Sequence, residues 1–164
     1  MIYFKEAVNK EDIREISKLA RKIFEEYFTP MIGFEQVDYM LKKFQSEEAL
    51  SKQIRDGCKY FMVLEDNKLA GYFAIKPEEN RLFLSKFYLD KEYRGLGIAR
   101  KMMEEIIKFS QSQALPAIYL TVNKKNERTI NIYKKFGFEI IKSVETDIGQ
   151  GFFMDDYIME KKLS

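Results

Sequence analysis

Asn126 and Tyr133 stand seven residues apart, close to two helical turns, so a helix through them presents both on nearly one face, about 10 Å apart along its axis. An amide so placed can hydrogen-bond the polar groups of an extended ligand. A phenol with a pKa near ~10 stays protonated at neutral pH and can donate to a departing anion such as a thiolate. The plainer alternatives are a helix cap for Asn126 and a core aromatic beside Phe136 and Phe138 for Tyr133. Upstream, Arg94-Gly95-Leu96-Gly97-Ile98-Ala99 leads straight into an amphipathic pattern. The two glycines remove side chains where a ligand would meet the main chain, and the first helical turn offers unpaired N–H groups. With the positive end of the helix dipole and the Arg94 charge, this is a seat for a phosphate or diphosphate. A tight strand-to-helix turn with no ligand is the competing reading of the same glycines.

Two phosphate-binding motifs are excluded. A dinucleotide fingerprint needs a third glycine where Arg100 stands, and an acidic residue after the next strand, which instead runs into Asn123 and Lys124. A P-loop needs a Gly-Lys pair followed by Ser or Thr, which the chain lacks.

The arginine–glycine segment resembles the acyl-CoA-binding signature of the GNAT family of N-acetyltransferases. A second segment, IYLTVNKKNERTINIYKKFGFE, is similar to that family independently, through Asn126, Tyr133, Gly137 and Phe138. Thr129 departs from it, where alanine is commoner. The resemblance spans nearly the whole chain. It implies an α/β (α+β) fold: a mixed central sheet of about seven strands, helices on both faces, and a splay between two parallel strands. It also implies acetyl-CoA as cosubstrate, bound by the main chain of Phe87, Tyr88 and Leu89, by Arg94, Gly95, Leu96, Gly97, Ile98 and Ala99, and by Asn126 and Tyr133. Tyr133 would serve as the proton donor to the sulfur.

Acetylating an amine also needs a base, since an alkylammonium has a pKa near ~10. Asp155 and Asp156 lie in the final strand, where alternation turns one inward. Glu65 and Asp90 follow strand ends. None is singled out. Around Thr29–Gly33, the aromatic residues Tyr27, Phe28, Phe34 and Tyr39, with Met31, accompany Glu25, Glu26, Glu35 and Asp38. Such a lip suits an aliphatic cation, and equally an ordinary helix contact with a wet outer face. This segment and the ending GFFMDDYIMEK are similar to the PaiA-type spermidine/spermine acetyltransferases, which points to a polyamine or related primary amine. A protein N-terminal acetyltransferase and a non-catalytic acyl-CoA-binding module remain as alternatives.

These residues need elements to hold them. The run 81–89 is apolar and aromatic enough for a central strand buried on both faces. The helix after Gly97 is striped by Ile98, Ala99, Met102, Met103, Ile106 and Ile107. Strands are expected over 2–8, 59–65, 68–75, 117–122, 138–144 and 152–161. Helices are expected over 11–28, 34–44, 46–55 and 126–136, with a break at 29–33 and a loop at 147–151. Asn9 and Ser46 offer N-caps, Gly57 a stop, and Asp66-Asn67 a hairpin turn.

At 164 residues, with 46% hydrophobic and 33% charged residues, the chain reads as one domain with a core of its own. A net charge of +2 gives no footprint for nucleic acid. The single cysteine, Cys58, excludes a disulfide framework and suits a reducing cytoplasm. With no histidine, a histidine base cannot be written and a thiol nucleophile lacks its usual activator. No stretch approaches the ~20 apolar residues of a membrane span. A homodimer is left open.

Overall fold

A computed structural model describes residues 1–163. Seven strands form one sheet in the order β1-β2-β3-β4-β5-β7-β6. They are β1 (Ile2–Glu6), β2 (Lys59–Glu65), β3 (Lys68–Pro77), β4 (Leu82–Leu89), β5 (Ala117–Asn123), β6 (Glu139–Gly149) and β7 (Phe152–Lys162). All neighbouring pairs are antiparallel except β4 with β5. The sheet is therefore mixed, with the expected strand number.

Six α-helices flank it. They are α1 (Lys10–Ile23), α2 (Thr29–Ile32), α3 (Phe34–Phe44), α4 (Glu47–Arg55), α5 (Ile98–Ser112) and α6 (Glu127–Lys135). One face of the sheet packs on α5 and α6 through Met102, Met103, Ile106 and Ile130. The other packs on α1, α3 and α4 through Ile16, Ala20, Val37 and Leu50. Both faces are covered, which is why the central strands read as dense apolar runs.

Local signals act as their chemistry dictates. The Asn9 side chain accepts from the Asp12 N–H and the Ser46 hydroxyl from the Ala49 N–H, capping α1 and α4. Asp66 and Asn67 both take positive φ in the β2–β3 turn, as the hairpin turn requires.

Two expectations are corrected. The segment 29–33 is not a break throughout. α1 runs into a π-helical turn, Phe24–Phe28, then α2, and the chain is interrupted only at Gly33, with φ +89°. The segment 147–151 is not a loop either. β6 continues to Gly149, and a turn with Gln150 and Gly151 at positive φ returns it into β7.

Two irregularities of β4 set up the cavity. Ladder partners Ala74–Lys86 and Ile75–Leu84 leave Ser85 as an extra residue, a β-bulge. In a regular strand Leu82, Leu84, Lys86 and Tyr88 would share a face. The bulge instead leaves Leu82 and Leu84 with Phe87 and Leu89 on the α5–α6 side, and turns Tyr88 to the α1 side. Second, β4 pairs with β5 only at Leu82–Ile118 and Phe83–Tyr119. Beyond them the two strands part, and the cavity opens there.

Candidate active site

The cavity has a volume of about 520 Å³, within the range of small-molecule sites. Its walls are the parted ends of β4 (83–89) and β5 (121–123), the start of α5, α6, and the π turn with α3. Phe87, Tyr88, Leu89, Arg94, Gly95, Gly97, Ile98, Ala99, Asn126 and Tyr133 all line it. Leu96 does not; its side chain is 65% exposed, so any part it takes is through its main chain.

Gly95 and Gly97 take φ of +80° and +78°, and a Cβ on either would point into open space. Other side chains adopt this backbone only at a cost. The loop thus presents bare main chain at the N-terminus of the 15-residue helix α5, where N–H groups lack intrahelical partners. The Arg94 guanidinium lies 5.2 Å from the Tyr27 ring centroid, which holds the cation beside the loop. The open strand edge, the bare loop and the fixed cation fit an extended ligand ending in a diphosphate.

Asn126 does cap α6, its Oδ1 accepting from the Thr129 N–H at 3.4 Å. The same oxygen accepts from the Tyr27 hydroxyl at 2.6 Å, joining the π turn to α6 across the cavity. Tyr133 is buried against Phe87 and Phe138, with ring centroids 5.9 and 5.6 Å away. It is both a core aromatic and a cavity wall. Burial pushes its phenol further above the ordinary 10, so the hydroxyl holds its proton and has one to donate.

The four carboxylates considered as bases separate. Glu65 pairs with the N-terminal ammonium, and Asp90 caps the 3-10 turn Lys91–Tyr93 and pairs with Lys22 at 2.8 Å. Asp155 faces outward and pairs with Lys124 at 2.9 Å. Asp156, opposite Asn123 in the β5–β7 ladder, is buried and lines the cavity. Desolvation first, then the neighbouring Asp155, pushes its carboxyl up to about 6, against a smaller lowering by Lys124.

The lip around Thr29–Gly33, read either as a cation site or as a helix contact with a wet outer face, divides between the two. Tyr27 and Phe28 line the cavity with Ile32, Gln36 and Met40 from α2 and α3, whereas Met31, Phe34 and Tyr39 do not. Glu25 pairs with Arg21, Glu26 with Lys91 and Asp38 with Lys42. None of these acids, nor Glu35, belongs to the cavity wall.

One buried group at the site escaped the sequence reading. Lys86, 7% exposed, lines the cavity on its α1–α4 side. Its Nζ donates to the Phe44 carbonyl at 2.7 Å, to Gln53 Oε1 at 2.9 Å and to the Tyr60 hydroxyl. Desolvation pushes its ammonium down to about 7. Cys58 is half-buried, and burial pushes its thiol up, which leaves it a poor nucleophile.

A model of the acetyltransferase (GNAT) family matches residues 18–138. The chain belongs to the GNAT family. It is an N-acetyltransferase, and its acyl donor is acetyl-CoA. The spermidine N(1)-acetyltransferase of Thermoplasma acidophilum is 24% identical over 157 residues, covering 93% of this chain and 92% of that one. Among solved structures, the PaiA N-acetyltransferase of the same organism, in complex with coenzyme A, matches with a TM-score of 0.83 and 23% identity over 99% of both chains. The ribosomal-protein-S18-alanine N-acetyltransferase of Escherichia coli matches with a TM-score of 0.72 at 16% identity, covering 100% of this chain and 95% of that one. At such identities these two structures show the GNAT fold alone.

Proposed function

We propose that this GNAT chain acetylates a primary amine of a small molecule by direct attack within a ternary complex, as one domain over residues 1–164. The observation that carries the reading is one cavity lined by the bare Gly95–Gly97 loop, the parted edge of β4, the Tyr133 phenol and the buried Asp156 carboxylate. Acetyl-CoA, when bound, supplies an acetyl thioester and a thiolate leaving group. The backbone N–H groups of residues 95–99, with Arg94, hold the diphosphate. The main chain of Phe87, Tyr88 and Leu89 pairs with the pantetheine arm as a further strand would. Asn126 turns its amide N–H groups toward that arm, since its Oδ1 is taken by Tyr27 and Thr129.

Asp156 accepts the proton of the incoming ammonium, a role its raised pKa suits at neutral pH. Tyr133 donates to the departing sulfur. Cys58 forms no acyl-enzyme: it is absent from the cavity wall and its thiol is raised.

A polyamine acceptor is supported by the likeness to the spermidine N(1)-acetyltransferase. The fold shared with the ribosomal-protein enzyme supports an N-terminal peptide as second reading. A cytoplasmic location accords with the one unpaired cysteine; no helix among the described residues is long and apolar enough to cross a membrane.

A screen of amines and N-terminal peptides with acetyl-CoA, read by thiol release, tests the reading. Spermidine or a related amine is expected to be acetylated, and acetylation of peptides alone would replace it with the second reading. Tyr133→Phe is expected to lower kcat by about 10–100-fold while coenzyme A affinity stays within about twofold. Unchanged turnover in that variant would remove the phenol from the mechanism.

A further inference from the structure

Lys86 is a buried cation without a counter-ion. All three of its ammonium protons go to neutral oxygens, on Phe44, Gln53 and Tyr60. Among the described residues it forms no ion pair with any carboxylate, although 14 other ion pairs are present. A charge removed from water is costly unless compensated, and this one is compensated only by dipoles. Part of that compensation is the C-terminal end of α3, since Phe44 is its last residue and the carbonyls there are the negative end of the helix dipole. The bulge at Ser85 is what places this side chain on the α1–α4 side.

Phe44 and Gln53, like Lys86, line the cavity. In that half the wall otherwise carries apolar, amide and phenol side chains and no other charge, among them Phe24, Ile32, Gln36, Gln45, Tyr27 and Tyr88. The one carboxylate on the whole cavity wall is Asp156. The acceptor half therefore holds one site for a positive group and, apart from it, one side chain, Lys86, that is itself positive whenever it holds its proton.

We propose that Lys86 is a specificity-determining residue of the acceptor site. It admits one ammonium, the reacting one beside Asp156, and rejects any second cationic centre from the interior. The remainder of the acceptor inside the cavity is apolar, neutral or anionic, and a polyamine fits only with its other ammonium groups outside. This rests on the function proposed above, with the acceptor placed in the α1–α4 half of the cavity, opposite the α5–α6 half that carries the glycine loop and Tyr133.

Like charges within a protein interior repel by enough to shift binding at least tenfold at separations of a few ångströms. The test is calorimetric titration of the coenzyme A-saturated protein with n-butylamine, 1,4-diaminobutane and 4-aminobutanoate at pH 6.5, on the acid side of the lowered Lys86 ammonium. Butylamine and 4-aminobutanoate are expected to bind at least about tenfold more tightly than the diamine. In Lys86→Met the diamine should come within about threefold of butylamine, and in Lys86→Arg the preference should persist, with circular dichroism confirming both folds.

Equal wild-type affinities for butylamine and the diamine would overturn the proposal without any variant. So would a preference unchanged in a folded Lys86→Met protein, or no binding of any of the three. Because the readout is binding, failure of spermidine to be acetylated counts against the polyamine reading alone.

Discussion

Burial pushes the Asp156 carboxyl from 3.8 up to about 6, chiefly by desolvation, and the same burial acts on stability with a definite sign. A carboxyl whose folded pKa is raised holds its proton more readily in the native state than in the unfolded chain. Its contribution is complete below the unfolded pKa and is lost as pH rises through about 6. At pH 7.5 the native state carries a desolvated carboxylate with no ion-pair partner of its own among the described residues. Asp156→Asn removes that charge. Allowing for solvent screening, it is expected to raise stability by about 1–2 kcal/mol at pH 7.5, a gain that shrinks toward pH 4. Urea unfolding at the two pH values measures it. The same variant should lower kcat/KM by about 100-fold and abolish the limb of the pH–rate profile near 6. A less stable Asp156→Asn protein at pH 7.5 would mean that the carboxylate is held by unrecognised partners.

The bulge in β4 explains which parts of the site were legible in the sequence. Asn126 and Tyr133 were readable because both sit on one regular helix, and a period of 3.6 residues holds along α6. The glycine loop was readable because positive φ leaves few alternatives to glycine. Strand alternation told that one of Asp155 and Asp156 turns inward, but not which, because that depends on the register with β5. Lys86 was not readable at all. One extra residue at Ser85 reverses the parity of everything after it, and a bulge of this kind has no compositional signature. Composition likewise did not tell which faces of α2 and α3 meet the wall; they carry Ile32, Gln36 and Met40 rather than the acidic residues.

The β3–β4 pair is also where a single atom tells. A Cβ on Gly71 would collide with the Tyr88 carbonyl oxygen and crowd Leu89. Gly71→Ala is expected to force β3 from β4 beside the splay, destabilising the fold by about 1–3 kcal/mol. It should also weaken coenzyme A binding, whereas Ala at a well-separated exposed strand position should not. Thermal unfolding and titration with the cofactor measure the two effects. An unperturbed Gly71→Ala protein would show that the close approach is not maintained in solution.

At the scale of the whole molecule, the sheet is continuous from β1 to β4 and again from β5 to β6, joined through two residue pairs. The two halves are otherwise held by α5 and α6 packed across them and by side-chain bridges such as Tyr27–Asn126, Gln36–Phe153, Tyr39–Ile148 and Arg81–Glu160. A ligand bridging the gap should therefore stabilise the molecule cooperatively. Coenzyme A at a hundred times its Kd is expected to add about 2.7 kcal/mol to the unfolding free energy. That corresponds to a rise of about 5–10 °C in Tm for a chain of this size. Amide exchange should slow most at 84–89 and least in β1 and β2. Uniform slowing would place the ligand elsewhere than in the gap.

A sheet normally has two borders, and this one has two more in its middle, where β4 and β5 part beyond Phe83 and Tyr119. Unsatisfied main chain along a border is a template for any passing extended peptide. The cosubstrate then has a second office: it covers main chain along β4 that the sheet itself leaves unpaired. Starved of coenzyme A, the protein should be more prone to clump and to be clipped by proteases, and its abundance in a cell should follow the acetyl-CoA supply for reasons unconnected with turnover.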